Sequence, residues 1–148
     1  MPRTPPELLN PARYPLHFEI LPRYGDQDPN RHINNVAMAQ YFEEARILFY
    51  RHIRDTGELP SFGGMLVGIE IDYIEQAHHP DPIELAVGIF KLGHSSWTFA
   101  KLALQGGRPV AFSQSTAISS DGQHSVPMSD NQRALFRKYL IQGIPDAQ

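Results

Sequence analysis

The sequence predicts an α+β fold in which a curved antiparallel sheet of about five strands wraps round one long central helix, with a short helix at the C-terminus. Two observations predict it: a single long amphipathic pattern near residues 35–55, and five strand-like runs separated by turn residues. One helix cannot cover both faces of such a sheet, so the sheet should curve round it. A chain of 148 residues, 41% hydrophobic, suffices for one well-buried core.

Residues 1–13 are rich in proline and are expected to form a leader along the surface, so that residues 14–148 make up a single domain. The segment "YPLHFEILPRY" follows, and its alternating and aromatic residues predict the first strand. A polar stretch, "YGDQDPNRHINN" at residues 24–35, separates this strand from the helix.

The long helix is predicted by apolar residues at steps of three and four, which places them on one face. Asn34 or Asn35 provides the N-cap, and Gly57 followed by Pro60 provides the stop, so the helix should span about residues 35–55. The residues expected on its core face are Met38, Tyr41, Phe42, Ala45, Leu48, Phe49 and Ile53. Glu43 and Arg46 are expected on solvated helix surface.

Four further strands are predicted after the helix, in the runs "MLVGIEIDYIEQ", "PIELAVGIFKLG", "SSWTFAKLALQ" and "RPVAFSQSTAISS". The turn segments "HHPDP", "LGHS" and "GGRP" separate them, which predicts an antiparallel meander. The two histidines of "HHPDP" are expected to point to solvent. The last segment, "SDNQRALFRKYL", begins with Ser129 or Asp130 as a cap and predicts the C-terminal helix.

Composition excludes several classes of protein. A formal net charge of −3, with scattered basic residues, gives no reason to expect a nucleic-acid partner. The absence of cysteine excludes disulfides, thiolate metal sites and a cysteine nucleophile. The N-terminus does not resemble a signal peptide and no apolar run is long enough to span a membrane, so a cytoplasmic protein is expected.

Other familiar sites are disfavoured by their spacing. The segment "GHSSW" has Trp97 where a nucleophile elbow needs glycine, and it joins two strands instead of a strand and a helix. No zinc-protease motif, P-loop or dinucleotide fingerprint occurs, so neither a metal nor a cofactor is predicted. An open sheet edge favours association into a homodimer or homotetramer, and Ile47 on the polar side of the helix either joins that contact or is a singly exposed residue.

The stretch "YGDQDPNRHINN" carries the main candidate chemistry because it lies immediately before the only long helix. Free N–H groups at a helix start can bind the oxyanion of an acyl-transfer intermediate. A carboxylate in the same loop, Asp26 or Asp28, could attack a carbonyl carbon or activate water. On spacing alone, the two acids could equally serve only as turn and cap residues.

The longer segment "YGDQDPNRHINNVAMAQYFEEARILFY" resembles the signature of acyl-CoA thioesterases of the 4-hydroxybenzoyl-CoA thioesterase group, which have the hotdog fold. The likeness continues in "KLGHSSWTFAKLAL" and "RPVAFSQSTAISSDGQHSVPMSD", and so covers roughly residues 15–137. The resemblance implies a homo-oligomeric thioesterase with active sites at the dimer interface. It also implies that the protein hydrolyses an acyl-CoA to the free acid and CoA.

The same resemblance implies roles for individual residues. Asp28, the acid before proline, corresponds to the catalytic carboxylate, as nucleophile or general base, and the N–H near Asn35 to the group that polarises the thioester carbonyl. "DPNRHINN" is also similar to the D-x-N-x-H-V-N-N stretch of plant acyl-ACP thioesterases, which adds Asn30 and His32. Arg31 departs from the CoA group, where this position is often glycine.

Alternatives remain for His32, for the asparagines at the helix start and for the reaction. His32 could move protons near neutral pH or could be a structural histidine. Asn34 and Asn35 are both candidates for the oxyanion or substrate-binding site, whereas their side chains also fit a cap and loop-fixing role. A hotdog hydratase uses D-x-N-P-x-H with five steps from Asp to His, whereas Asp28 and His32 are four apart. A non-catalytic acyl-thioester-binding protein is the remaining alternative.

Overall fold

The computed structural model describes residues 4–58 and 64–144. It contains the predicted elements in the predicted order: strand β1 at Leu16–Ile20, helix α1 at Asn35–Asp55, and strands β2 at Gly64–Tyr73, β3 at Ile83–Leu92, β4 at Ser96–Gln105 and β5 at Arg108–Ser119. Helix α2 follows at Asp130–Arg137. The predicted fold, a curved five-stranded antiparallel sheet with one long helix and a short C-terminal helix, is confirmed.

Helix α1 begins and ends close to where its sequence predicts. The side chain of Asn34 caps it by accepting a hydrogen bond from the N–H of Val36 at 2.7 Å. Gly57 follows the last turn with a φ of 71°, a conformation that glycine adopts without strain. The predicted Pro60 stop lies outside the described residues. Of the expected core residues, Leu48 is half-buried and the others are buried.

The strand order is β1-β3-β4-β5-β2, so the predicted meander is correct only for β3, β4 and β5. Strand β2 does not pair with β3; it crosses to the far edge and pairs antiparallel with β5. Turn residues specify that the chain reverses, but not which strand edge the next segment will join. The "HHPDP" segment is therefore part of a crossing connection instead of a hairpin.

The sheet has two differently covered faces. Its inner face packs on α1, with Phe49 in edge contacts to Phe99 and Phe136. Its outer face is covered in part by the chain's own ends, because Leu8, Tyr14 and Ile141 are buried in a cluster with outward-facing strand residues. The 3₁₀ turns Pro6–Leu9 and Pro11–Arg13 bring Leu8 and Tyr14 there. Residues 4–13 of the leader therefore lie along the sheet, with Leu8 buried against it.

The edge strand β2 remains uncovered in the protomer. Large apolar side chains of this strand are 47% to 54% exposed: Met65, Val67, Ile69 and Tyr73. Ile47 on α1 is also exposed, at 43%. One expectation for α1 is wrong: the side chain of Arg46 is only 19% exposed and is held by Glu43. The Arg46 guanidinium lies over the ring of Tyr50, 5.6 Å from its centroid, and is therefore largely shielded from solvent.

Candidate active site

The loop between β1 and α1 is anchored by Asp26, which is 5% exposed. Its carboxylate accepts hydrogen bonds from the hydroxyl of Tyr41 at 2.6 Å and from the backbone N–H of Arg23 at 2.9 Å. The Arg23 guanidinium donates a third at 3.2 Å. Burial alone would raise the pKa of Asp26, but these hydrogen bonds outweigh it and hold the pKa below its usual value. Asp26 is thus fully engaged in holding the loop against α1.

Asp28 lies in a tight turn two residues further on. Its Oδ1 accepts hydrogen bonds from the backbone N–H groups of Asn30 at 2.8 Å and His32 at 3.0 Å. The backbone N–H of Asp28 donates to the carbonyl of His32 at 2.8 Å. The backbone N–H of Arg31 donates to the carbonyl of Asp28 at 3.0 Å. Within residues 4–58 and 64–144, Oδ2 makes no hydrogen bond. One oxygen therefore fixes the carboxylate in place and the other is free to react.

Arg31 closes this turn with a φ of 64°, the only positive φ at a described residue other than glycine. This left-handed conformation costs roughly 1 kcal/mol or more for a residue with a side chain. Glycine would adopt this conformation without that cost. Backbone strain of this kind is concentrated at functional loops, which is consistent with a functional role for the turn.

His32 contacts Asp28 through its backbone N–H and not through its imidazole ring. The imidazole packs edge-on against the ring of His78, with centroids 5.1 Å apart, and residues 32 and 78 form an isolated antiparallel bridge. Of Asn30, likewise, only the backbone contacts Asp28 within the described residues. The ring of His79 packs edge-on against that of Tyr24, with centroids 5.9 Å apart. His79 is therefore half-buried, whereas His78 is exposed as the sequence predicts.

The start of α1 supplies the predicted free donor. Asn34 uses its side chain as a cap, and its N–H donates to the carbonyl of Asp26 at 2.8 Å, which ties the helix start to the loop. The N–H of Asn35 makes no hydrogen bond to the described part of the chain, whereas the carbonyl of Asn35 accepts one from the hydroxyl of Tyr73 at 2.9 Å. Asn35 therefore presents an unpaired N–H at the positive end of the helix dipole.

The candidate residues line two separate depressions of the protomer. Asp28 borders one with Tyr24, Arg31 and His79. Asn35 borders another with Tyr73 and other residues of the β2–β3 connection. Sequence reasoning missed the contributions of Tyr73 and His78, since both depend on where β2 crosses the sheet. Among residues 4–58 and 64–144 no group of three His, Asp or Glu side chains could hold a metal ion.

Comparison with known protein families fits this arrangement of a loop carboxylate before a single long helix. The family model of the thioesterase-like superfamily matches residues 22–136, which include the loop, α1 and the whole of β2–β5. The chain belongs to the thioesterase-like superfamily. This membership confirms the resemblance found in the sequence and the prediction of a thioester hydrolase. A comparison with curated proteins found no match.

Several solved structures of low sequence identity share this fold, including three that are named as thioesterases. A predicted thioesterase from Bacillus stearothermophilus is 23% identical, with a TM-score of 0.76 over 87% of this chain and 98% of that one. A thioesterase from Thermus thermophilus complexed with coenzyme A and Zn is 24% identical, with a TM-score of 0.74 over 89% and 97%. A 1,4-dihydroxy-2-naphthoyl-CoA thioesterase from Synechocystis is 16% identical, with a TM-score of 0.66 over 82% and 94%. These likenesses establish the fold. None of the described helices of this thioesterase-like protein is long and apolar enough to cross a membrane.

Proposed function

We propose that the protein is an acyl-CoA thioesterase that hydrolyses an acyl-CoA to the free carboxylic acid and CoA, with Asp28 as the catalytic carboxylate. The observation that carries this proposal is the geometry of the Asp28 carboxylate. Two backbone N–H groups hold Oδ1 and leave Oδ2 unpaired, a few residues before the free N–H of Asn35. A fixed carboxylate in the loop and a free N–H at the helix start, seven residues further along the chain, are the two groups that attack on a carbonyl needs, since the carbonyl oxygen becomes negatively charged.

Two routes use these groups. With Asp28 as general base, Oδ2 takes a proton from water, the hydroxide attacks the thioester carbon, and the N–H of Asn35 stabilises the oxyanion. The tetrahedral intermediate then collapses, the C–S bond breaks, and the thiolate leaves as CoA and takes up the proton. With Asp28 as nucleophile, Oδ2 attacks directly, the C–S bond breaks and the CoA thiolate leaves. Water then hydrolyses the resulting anhydride, which releases the acid, restores the Asp28 carboxylate and supplies the proton that the thiolate takes up. Neither route requires a cofactor.

A hydrolysis screen tests the activity against its alternatives. Purified protein is incubated with acyl-CoAs of varied chain length, both aliphatic and aromatic, and released thiol is followed with a thiol reagent. Free thiol in proportion to enzyme supports the proposal. Hydration of an unsaturated acyl-CoA without thiol release would instead support the hydratase. Tight binding of acyl-CoA with no turnover would support a non-catalytic binding protein.

The proposal includes a homodimer or homotetramer, formed through the exposed β2 edge, in a cytoplasmic protein. An apolar, unpaired edge strand is a ready surface for pairing with a second copy. Its exposed residues include Val67 and Ile69, each at 52%. Ile47 on α1 is a further exposed apolar residue that such a contact could cover.

Disruption of this edge gives a testable prediction. The protein should sediment as a dimer or larger at micromolar concentration, and Ile69→Lys should shift it toward monomer because a charge would be buried in the contact. Leu21→Lys, at an exposed loop position, serves as the matched control and should leave the assembly unchanged. Sedimentation velocity measures both. A stable wild-type monomer with full thioesterase activity would contradict an active site at the interface.

His32→Ala should have only a small effect on turnover. Because the contact with Asp28 is made by the backbone N–H of residue 32, alanine keeps it, and only the edge contact with His78 is lost. We expect kcat within about 10-fold of wild type, a loss smaller than that of removing a general acid or base. A loss as large as that of an Asp28 variant would show that the imidazole itself takes part in proton transfer.

A further inference from the structure

The inner face of the sheet carries a buried polar cluster that the proposed hydrolysis does not use. It consists of Lys101 on β4 with Ser113 and Ser115 on β5, which are 2%, 0% and 1% exposed. The flanking inward positions on the two strands are apolar: Phe99, Ala103, Ala111 and Ala117. The cluster is therefore an isolated polar patch on the otherwise apolar inner face of the sheet.

This cluster has hydrogen-bond donors without acceptors. Lys101 and Ser113 are opposite each other in the β4–β5 register, so their Cβ atoms lie about 5 Å apart. The ammonium of Lys101 donates one hydrogen bond, at 3.3 Å, to the carbonyl of Phe42 on α1. The hydroxyls of Ser113 and Ser115 have no partner among the described residues. Buried polar groups normally find partners, so unmet donors at one place point to an acceptor that the protomer itself does not supply.

The cluster also carries an unmatched positive charge. Glu43 and Arg46 lie above it on α1, and they neutralise each other because the Arg46 guanidinium donates to the Glu43 carboxylate at 2.8 Å. Burial lowers the pKa of Lys101 to about 8, more than the nearby Glu43 raises it, so the ammonium remains mostly charged at neutral pH. A buried cation costs stability, and proteins keep such groups mainly where function needs them.

The strand register relates the cluster to the helix start in the candidate active site. Ala111 is opposite Tyr73, whose hydroxyl contacts Asn35 at the helix start. Ser113 and Ser115 are two and four residues further along β5, which is roughly 7 Å and 13 Å at the usual rise of a strand. Ile71 and Ile69 are their partners on β2, and Ile69 is 52% exposed at the sheet edge. By this register, an acyl group that begins at Asn35 and follows β5 would have its far end at the cluster.

We propose that Lys101, Ser113 and Ser115 bind a carboxylate at the far end of the substrate's acyl group, so that the protein prefers ω-carboxylated acyl thioesters to unsubstituted ones. A carboxylate accepts several hydrogen bonds and carries one negative charge, which matches an ammonium with two hydroxyl donors. This inference rests on the proposed function, since it assigns the acyl end of the same site.

The test compares substrates of equal length. Hexanoyl-, octanoyl- and decanoyl-CoA are assayed beside their ω-carboxy counterparts by thiol release. We expect kcat/KM to be higher for the ω-carboxy substrate at one or more of these lengths, by about 10- to 100-fold, the range for a buried charge-assisted contact. Lys101→Met should reduce this preference to near unity, because kcat/KM for the ω-carboxy substrate falls toward the value for the unsubstituted one.

Two further variants keep the test decisive. Ser113→Ala with Ser115→Ala should weaken the preference even if Lys101→Met misfolds, while Lys91→Met, at an exposed lysine of β3, should leave it unchanged. Hydrolysis without a preference for the ω-carboxy substrate would overturn this inference and leave the proposed function standing. If no thioester is hydrolysed, the proposed function fails, and calorimetry with non-hydrolysable thioether analogues decides the inference: tighter binding of the ω-carboxy analogue supports it and equal binding overturns it.

Discussion

Asp28→Asn is expected to lower kcat by about 10²- to 10⁴-fold while KM changes little, because the variant keeps the shape of the turn and loses the reactive charge. The amide oxygen of asparagine can still accept from the N–H groups of residues 30 and 32, so the loop should survive the change. The remaining group is neither a base nor a nucleophile at neutral pH. Steady-state thiol release measures the effect, and circular dichroism checks the fold.

Asp26→Asn is the matched control in the same loop. The Asp26 carboxylate is saturated by Tyr41 and Arg23, and the asparagine retains an oxygen that can accept from them. We expect this variant to keep kcat within a small factor of wild type, with a modest loss of stability. Near-full kcat in Asp28→Asn, or an inactive Asp26→Asn in a folded protein, would show that the catalytic acid has been assigned to the wrong residue.

Asp26→Ala should lower the free energy of unfolding by about 3 kcal/mol, since it removes a buried charged acceptor and leaves the hydroxyl of Tyr41 unpaired. Tyr41 is itself only 5% exposed, so water cannot readily replace the lost partner. Urea denaturation should show a lower midpoint with an unchanged slope. Tyr41→Phe alone should cost less, and the double variant should show coupling between the two residues.

The effect of Asp26 on stability should depend on pH with a definite sign. Hydrogen bonds hold the pKa of Asp26 below its value in the unfolded chain, so its contribution is present above the unfolded value and is lost as the pH falls through the folded one. The stability difference between wild type and Asp26→Ala should therefore shrink in acid. A difference that stays constant from neutral pH to the acid limit would mean that the carboxylate charge contributes nothing.

Helix α1 and its cap could be predicted from the local sequence alone. Its apolar residues recur with the period of the helix, and Asn34 is a residue type that caps helix starts, so neither feature needs knowledge of the rest of the chain. The resemblance of the preceding loop to thioesterases singled out Asp28 over Asp26. The structure gives the two acids different hydrogen-bonding states, one carboxylate saturated and the other with a free oxygen.

Burial of the polar residues of α1 was not foreseeable from the helix alone. Glu43 and Arg46 form an ordinary surface pair by spacing, yet the side chain of Arg46 is only 19% exposed and lies over the ring of Tyr50. Lys101 interrupts an inward-facing apolar pattern on β4, which is a sequence signal, but only the pairing with β5 puts it beside Ser113. Long-range strand pairing thus created a polar cluster from residues that are far apart in the chain.

The sequence by itself determined the helix, its cap, the strand segments and the family, because these depend on periodicity, turn chemistry and a contiguous motif. The tertiary structure alone decided where β2 joins the sheet. That choice brings Tyr73 to Asn35 and His78 to His32, and it leaves an apolar edge exposed. The physical reason is that a strand can satisfy its hydrogen bonds at any free sheet edge, so its partner is selected by packing of the whole chain and not by local sequence.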